Sequence, residues 1–550
     1  MHTPDDTLDV AVIGAGPTGL MIANLLGIHG LRVGVFEAGS ELIDYPRGVG
    51  LDDETCRTFQ AAGLVDALLP HTVPHQLLVF VDHKQRDLAR IAPPAADFGW
   101  PRRNGFVQPL ADRVLLDGLG RFGSVHVHWS ARITSLAQDA NVVELTVAAP
   151  DGERTVRASY VVGADGGSST TRKALGLAFA GVSADADWFV IDLRNDPLGR
   201  PGAYVCADPR RPYVSIGIPH GIRRFEFMLK PGETEQEVMT DEFVARLLRP
   251  LVPATTRVDT IRRRVYRHHS RMAERFRSGR VFLAGDAAHV MPVWQGQGYN
   301  SGIRDALNLS WKLAMVIRGQ AGEQLLDTYE PERRGHVRAM VQLSTWVGRL
   351  VSVDNRLAAA LRNGFFRAIS AVPRAKSYLV TMRFKPMPTM TTGALTRVGS
   401  PGEPTPVGRL FIQPTVSTRA APSVKLDDAL GPWFALIAWN NDPRLILDDD
   451  ARRRLARSGT RLVSARPGVQ LHWDENGVSA AGDGVLVVGD LDGSLKRWFE
   501  AHAESVLLLR PDRIVGGASP AYAASDMVRA FDLAIGAPGP VPASSPERVP

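Results

Sequence analysis

The stretch Val10-Ala-Val-Ile-Gly-Ala-Gly-Pro-Thr-Gly-Leu20, read with its flanks, decides the fold. Residues 10–13 are apolar throughout and read as a buried strand. Gly14, Gly16 and Gly19 follow in G-x-G-x-x-G spacing, and Ala15, Leu20, Ala23, Leu25 and Leu26 then give an apolar helical face. The first glycine allows a tight turn, the second lets backbone approach a pyrophosphate, and the third lets helix close on strand. The helix start offers unpaired N–H groups and a positive dipole end to phosphate. Residues 31–36 predict a second strand ending at Glu37, 18 residues after Gly19, where an acidic side chain receives ribose hydroxyls. A glycine-rich turn of an unrelated α/β protein is the bland alternative, and the strand–turn–helix context speaks against it. The motif does not separate NAD from FAD.

A chain of 550 residues predicts two to four domains with ample core. No run of 18 apolar residues occurs, so no membrane helix is expected, and the polar, acidic start Met1-His-Thr-Pro-Asp-Asp-Thr-Leu8 is not a signal peptide. Cys56 and Cys206 stand alone without C-x-x-C, which fits a reducing cytoplasm and argues against disulfide exchange or a cysteine-rich zinc site. The net charge of +6 is scattered in short clusters such as Arg262-Arg263-Arg264, without the aromatic interleaving of a nucleic-acid platform. A modest positive field of this kind still helps draw in an anionic substrate.

Along the chain, residues 1–72 read as the first part of a dinucleotide domain, and residues 73–104 as an excursion into a second one. Residues 185–270 alternate in short β-like runs at 188–193, 204–207, 213–218 and 225–229 and predict an antiparallel sheet. Residues 302–317 carry helical periodicity, residues 325–383 read as largely helical, and 386–404 reads as a linker. A third domain at 405–535 has strand-like runs at 434–439, 484–488 and 506–509, and the proline-rich 536–550 reads as a disordered tail.

Two further segments share the grammar of a strand followed by a small or acidic turn: Gly163-Ala-Asp165-Gly166 and Gly285-Asp286-Ala-Ala-His-Val-Met-Pro292. With Gly14–Gly19 they resemble the three motifs of the group A flavoprotein aromatic hydroxylases. Asp165-Gly166-Gly-Ser-Ser169-Thr-Thr-Arg172 is similar to the family's D-G-x-x-S-x-x-R, associated with FAD and NAD(P)H, and Gly285-Asp286 to its G-D motif. The resemblance implies that Asp286 contacts the ribityl chain of FAD, that Pro292 lies near the isoalloxazine, and that Gln108 lies near FAD. Longer matches, among them Phe98-Gly-Trp-Pro-Arg-Arg-Asn104, Arg223-Arg-Phe-Glu-Phe-Met228 and Met291-Pro-Val-Trp-Gln-Gly-Gln-Gly-Tyr-Asn300, resemble the branch that hydroxylates 3-(3-hydroxyphenyl)propionate in bacterial phenylpropanoid breakdown.

That resemblance implies an α/β fold: a Rossmann-like FAD-binding domain with a helical extension (1–72, 105–184, 271–385), an antiparallel-sheet substrate domain (73–104, 185–270) and a thioredoxin-like C-terminal domain (405–535). It implies a cytoplasmic FAD monooxygenase using NADH and O2, by way of a flavin C4a-hydroperoxide, to hydroxylate 3-(3-hydroxyphenyl)propionate and 3-hydroxycinnamate ortho to the phenol. Cofactor candidates are Gly14, Gly16, Gly19, Glu37, Arg47, Gln108, Asp165, Arg172, Gly285, Asp286, Pro292 and Gly298. Asp52 is the candidate base, with helix capping an equal reading, and Arg47 the candidate flank of the isoalloxazine. Tyr204, Tyr213, His220, Arg223 and Trp294 are the substrate-side candidates, an arginine there serving the propionate carboxylate. No metal-ligand spacing occurs, and without C-x-x-C the third domain has no redox role. The expected partner is a small phenolic acid, with no nucleic acid or membrane, and a homodimer stays open. The alternatives are a hydroxylase of another phenol or an aromatic polyketide, a flavin-free NAD dehydrogenase, and a non-catalytic flavin-binding protein.

Overall fold

The computed structural model describes residues 7–45, 47–94, 97–253, 258–397, 404–471 and 484–538. Parts of the stretches read as linker and tail, 398–403 and 539–550, lie outside them, as do residues 1–6 and Pro46. The chain divides into two compact units.

The first unit comprises Met1–Ala96, Trp100–Leu307 and Arg333–Met387. Strand β1 (Leu8–Ile13) leads through the glycine turn into helix α1 (Pro17–Ile28) and back into strand β2 (Val33–Phe36). Pro17 suits the first helical turn, where its missing N–H is one of the helix's orphans anyway. β1 pairs in parallel with β2 on one side and with Gly152–Gly163 on the other, and Val125–His128 and Val281–Leu283 extend the parallel set. Both faces of this sheet are covered, which is why residues 10–13 are apolar without alternation. Gly14 has φ +104°, and a Cβ there would lie 2.6 Å from the carbonyl oxygen of Ala164. A Cβ on Gly19 would collide with the carbonyl of Gly14, so strand and helix close at van der Waals contact only because both are glycine.

A second sheet runs in the order His289–Val290, Asp259–Ala273, Phe179–Arg194, Ile222–Met228, Tyr213–Ile218, Ala203–Cys206, Leu78–Val81, Asp87–Ile91. It is antiparallel except where Ala203–Cys206 meets Leu78–Val81. Phe179–Arg194 extends well before the expected run at 188–193. Residues 180–187 are mostly small or polar, and their strand is fixed by pairing with Asp259–Ala273, a partner that local sequence does not reveal. Both faces of the sheet are buried. Trp188, Ala203, Val205, Val214 and Ile216 pack on one side. Phe189, Ile191, Phe225 and Phe227 pack on the other, against Phe243, Val244 and Leu247 of the helix Asp241–Leu248.

The helix expected from residue 302 begins at Gln297 and runs to Ile317. Left-handed Gly296 (φ 63°) ends the preceding short turn and resets the chain into it. No helix among the described residues is long and apolar enough to cross a membrane.

The second unit comprises Asp97–Gly99, Asn308–Glu332 and Pro388–Pro550. Its sheet has three parallel strands, Ala435–Trp439, Arg461–Pro467 and Val485–Asp490, and antiparallel Val506–Leu509 and Val515–Ser519 beside the first of them. Thr396–Arg397, inside the stretch read as a linker, adds a short strand at the edge. A buried ion cluster joins Arg510 to Glu332 (2.7 Å) and Asp512 (2.6 Å), and Lys312 to Glu332 (2.8 Å). The overall class is the mixed α/β architecture that the motifs imply.

Candidate active site

One cavity of about 550 Å³ in the first unit gathers the three glycine and aspartate turns. Gly14, Gly16, Glu37, Arg47, Gln108, Asp165, Asp286, Trp294 and Gly298 all line it. The start of α1 opens into it, and nothing lies within 4 Å of where a Gly16 Cβ would project. That open cradle at a helix N-terminus, with the acidic Asp286 on the same wall, fits a dinucleotide pyrophosphate and a hydroxyl-bearing chain. Gly16→Val is therefore expected to leave the melting temperature of the cofactor-free chain nearly unchanged while removing most bound FAD. Flavin absorbance per mole of purified protein measures this, and full retention of FAD would contradict the cradle.

The other cofactor candidates hold the turns in place. Gly285 carries φ +59° and packs on Thr18, and its N–H donates to Asp305 Oδ2 at 3.0 Å. Arg172 donates to the carbonyls of Ala287 (2.8 Å) and Gly167 (2.9 Å), tying two turns together from behind. Asp165 accepts from Ser169, Thr170 and Thr171. Glu37 accepts from the N–H groups of Ala15 (2.9 Å) and Gly39 (2.7 Å), so it braces the glycine turn as well as facing the cavity. Pro292 is not on the wall, but its neighbours Met291 and Val293 are. Gln108 Oε1 accepts from the N–H groups of Arg47 (3.1 Å) and Gly48 (2.6 Å), which fixes the arginine loop. Its Nε2 donates to Asp112, whose carboxyl is pushed up to about 7 by burial, against the hydrogen bonds from Gln108 and Tyr299.

Asp52 does not reach the cavity wall. It caps the helix Asp53–Ala61 by accepting from Thr55 N (3.0 Å), and its carboxylate pairs with Arg304 and with Lys385 Nζ (2.9 Å). Burial pushes its pKa up, but the two cations outweigh burial and hold it well below the usual carboxylate range. This replaces a cavity-facing base with a capping, ion-paired carboxylate. Asp52, Asp53 and Glu54 bring carboxylate oxygens within 4.8 Å of one another, and Arg304 and Lys385 supply the compensating charge.

The substrate-side candidates separate by strand parity. Ala203, Val205, Val214, Ile216 and Glu226 line the cavity. Tyr204, Tyr213 and Arg223 alternate with them and lie off the cavity wall, because successive side chains in a strand point to opposite faces. Tyr204 packs with Val79, Val81 and Cys206, and Tyr213 accepts from Gln85 at 3.0 Å. Arg223 is fully buried against Asp196 (2.6 Å), so its charge is already spent. His220 sits in a turn with φ 62°, its ring 3.2 Å from His71. Trp294 is on the wall, edge-on to Trp188 at 4.8 Å.

The wall also carries polar residues beyond the sequence-based candidates, among them Glu226 and Arg103. Glu226 Oε2 accepts from the Tyr266 hydroxyl (3.0 Å), which lies 3.1 Å from His268 Nε2. Since the hydroxyl donates to Glu226, His268 must donate to it. Burial drops His268 to about 4, which keeps that ring neutral. Burial also raises Glu226, against Arg224 and the tyrosine hydroxyl. Arg224 itself forks onto Asp192 (2.7 and 2.9 Å) and reaches the carbonyl of Arg47 (3.2 Å).

A dinucleotide cradle opens here into a sheet-walled apolar pocket, and the family comparison makes the chain a flavoprotein oxidoreductase. The FAD binding domain family model matches residues 7–344, and the HcaD C-terminal domain model matches residues 408–534. The chain is 56% identical over 531 residues, 96% of its length and 94% of the relative's, to the 3-(3-hydroxy-phenyl)propionate/3-hydroxycinnamic acid hydroxylase of Mycolicibacterium smegmatis. It is 53% identical to the hydroxylase of the same name from Mycobacterium avium, over 96% of this chain and 92% of that one. Among solved structures, the anhydrotetracycline hydroxylase OxyS of Streptomyces rimosus superposes with a TM-score of 0.73 at 25% identity, over 97% of this chain and all of that one. The chain belongs to the family of FAD-dependent aromatic hydroxylases and is a flavin monooxygenase.

Proposed function

We propose that this cytoplasmic enzyme uses NADH and O2 to hydroxylate 3-(3-hydroxyphenyl)propionate, and 3-hydroxycinnamate, ortho to the phenol, yielding the 2,3-dihydroxyphenyl acid. The observation that carries the reading is the single cavity in which Gly14, Gly16 and Asp286 share a wall with Leu78, Val205, Val214, Ile216 and Trp294. Cofactor cradle and aromatic-sized apolar wall are thereby continuous. The names of the relatives, at more than half identity, favour a phenylpropionate over a polyketide.

Gly14, Gly16 and the α1 terminus would hold the pyrophosphate of FAD, Glu37 its adenosine ribose, and Asp286 its ribityl hydroxyls. Bound there, FAD would supply the redox chemistry that links NADH to O2. The ring is a better nucleophile as phenolate, so a base must take the phenolic proton. Glu226 is the wall carboxylate whose geometry suits that task, and it replaces Asp52 in the role. Its Oε2 is held by Tyr266, and Oε1, 3.7 Å from Arg224, can receive the proton. The apolar wall keeps water from the reacting centre. Gly296 and Gly298, at the start of the helix Gln297–Ile317, bring a positive dipole end to the cavity, where negative charge on reduced flavin would be stabilised.

The test is NADH-dependent O2 uptake by the FAD-loaded protein with and without this acid, with products identified. Stimulated uptake yielding the 2,3-dihydroxy acid is expected. Stimulation giving only H2O2 would make the acid an effector, and stimulation by a different phenol alone would move the substrate assignment to that phenol.

A further inference from the structure

Arg103 is a cation on the cavity wall with no acidic partner among the described residues. Its side chain lines the cavity, and its buried Nε has no hydrogen-bond partner. Burial alone, with no carboxylate to offset it, brings its pKa down to about 10. Its neighbour Arg102 behaves differently, lying 4.0 Å from Asp53 and donating to the carbonyl of Thr381 (3.3 Å). The other wall arginines, Arg47 and Arg132, are exposed.

The backbone holding Arg103 is fixed on both sides. Its carbonyl accepts from Gln76 N (2.9 Å), and the strand that follows, Asn104–Phe106, pairs with Gly50–Leu51 and with Thr72–Val73. Partly burying a guanidinium without an acid costs stability unless a ligand completes the pair. A guanidinium also matches a planar anion through paired N–H donors better than a lysine does.

We propose that Arg103 is the specificity-determining residue that binds the carboxylate of an aryl-alkyl acid substrate. The same cavity offers Leu78, Val205, Val214 and Ile216 for the ring and Glu226 for the phenol. A phosphate of FAD or NADH offers the same anionic chemistry. The α1 terminus already provides for the pyrophosphate, and the apolar residues of this wall suit an aryl-alkyl chain. The identity of the acid rests on the function proposed above, but the role of Arg103 as a carboxylate anchor does not.

The experiment titrates FAD-loaded wild type, Arg103→Gln and Arg103→Lys with 3-(3-hydroxyphenyl)propionate and with its uncharged amide, following the flavin absorbance change. Arg103→Gln should weaken binding of the acid on the order of 10- to 100-fold, leave the amide nearly unchanged and retain FAD. Arg103→Lys should recover part of the loss. Equal weakening of acid and amide, or loss of FAD with acid affinity intact on the reloaded protein, would overturn the assignment. If wild type ignores this acid but binds 3-hydroxyphenylacetate in an Arg103-dependent way, the substrate proposal falls and the anchor stands. If wild type binds neither carboxylate, both fall.

Discussion

Glu226→Gln is expected to slow ring hydroxylation by about 10²- to 10⁴-fold at neutral pH while leaving NADH-driven flavin reduction within a few-fold of wild type. Gln keeps the volume of Glu226 and can still accept from Tyr266, so the wall should stay in place. What it loses is the ability to take the phenolic proton. The deficit should shrink as pH rises toward the ordinary phenol value of about 10, because the substrate then ionises without help. A merely structural role has no reason to recover with pH. Stopped-flow measurement of each half-reaction from pH 6 to 10 separates the cases. Equal slowing of both halves, or a deficit flat in pH, would remove Glu226 from the chemistry.

The glycine and aspartate turns that meet in the cavity were legible in the sequence and the sheet wall was not, for a physical reason. Gly14, Gly16, Glu37, Asp165 and Asp286 sit where short-range geometry dictates residue type: a strand must end, a turn must be tight, and a phosphate must approach backbone. The substrate sheet offers no such local constraint. Because both of its faces are buried, Tyr204 and Val205 look equally inward-facing from sequence, and parity alone cannot say which face meets the cavity. Only the position of the Rossmann-like sheet and the Gly50–Leu51 segment decides it. Arg223 was the more conspicuous choice for an anion, yet it is neutralised by Asp196, a residue 27 positions away that no motif links to it. Arg103 lies within residues 98–104, but that its buried Nε finds no partner among the described residues is a property of the folded state. The 297 start of the long helix was hidden by Gly296 and Gly298, which lower helix propensity where the chain nonetheless turns helical.

Asp52→Asn should act on the fold first and on the chemistry only through it. Asparagine can still cap the helix by accepting from Thr55 N, so the substitution isolates the charge. Removing one partner of a buried ion pair typically costs 3–5 kcal/mol, because the other charge stays buried. Glu54 still holds Arg304 (2.8 Å) and approaches Lys385 (3.6 Å), which places the expected loss near the low end, about 3 kcal/mol. The sign with pH follows from the direction of the Asp52 shift. A carboxylate depressed in the folded state contributes its full stability above its unfolded value of about 3.9. That contribution is lost as pH falls further and wild type protonates too. Melting curves of wild type and variant should therefore lie well apart at pH 7 and draw together below pH 4. Turnover tells the same story from the other side. Asn300 joins the 50–55 segment to the cavity-lining helix start by accepting from Asp52 N (3.1 Å) and donating to the Gly50 carbonyl (3.1 Å), so loosening that segment should slow flavin reduction and hydroxylation by a common factor. A hydroxylation step slowed alone, with reduction and melting temperature intact, would return Asp52 to the role of base and take Glu226 out of it.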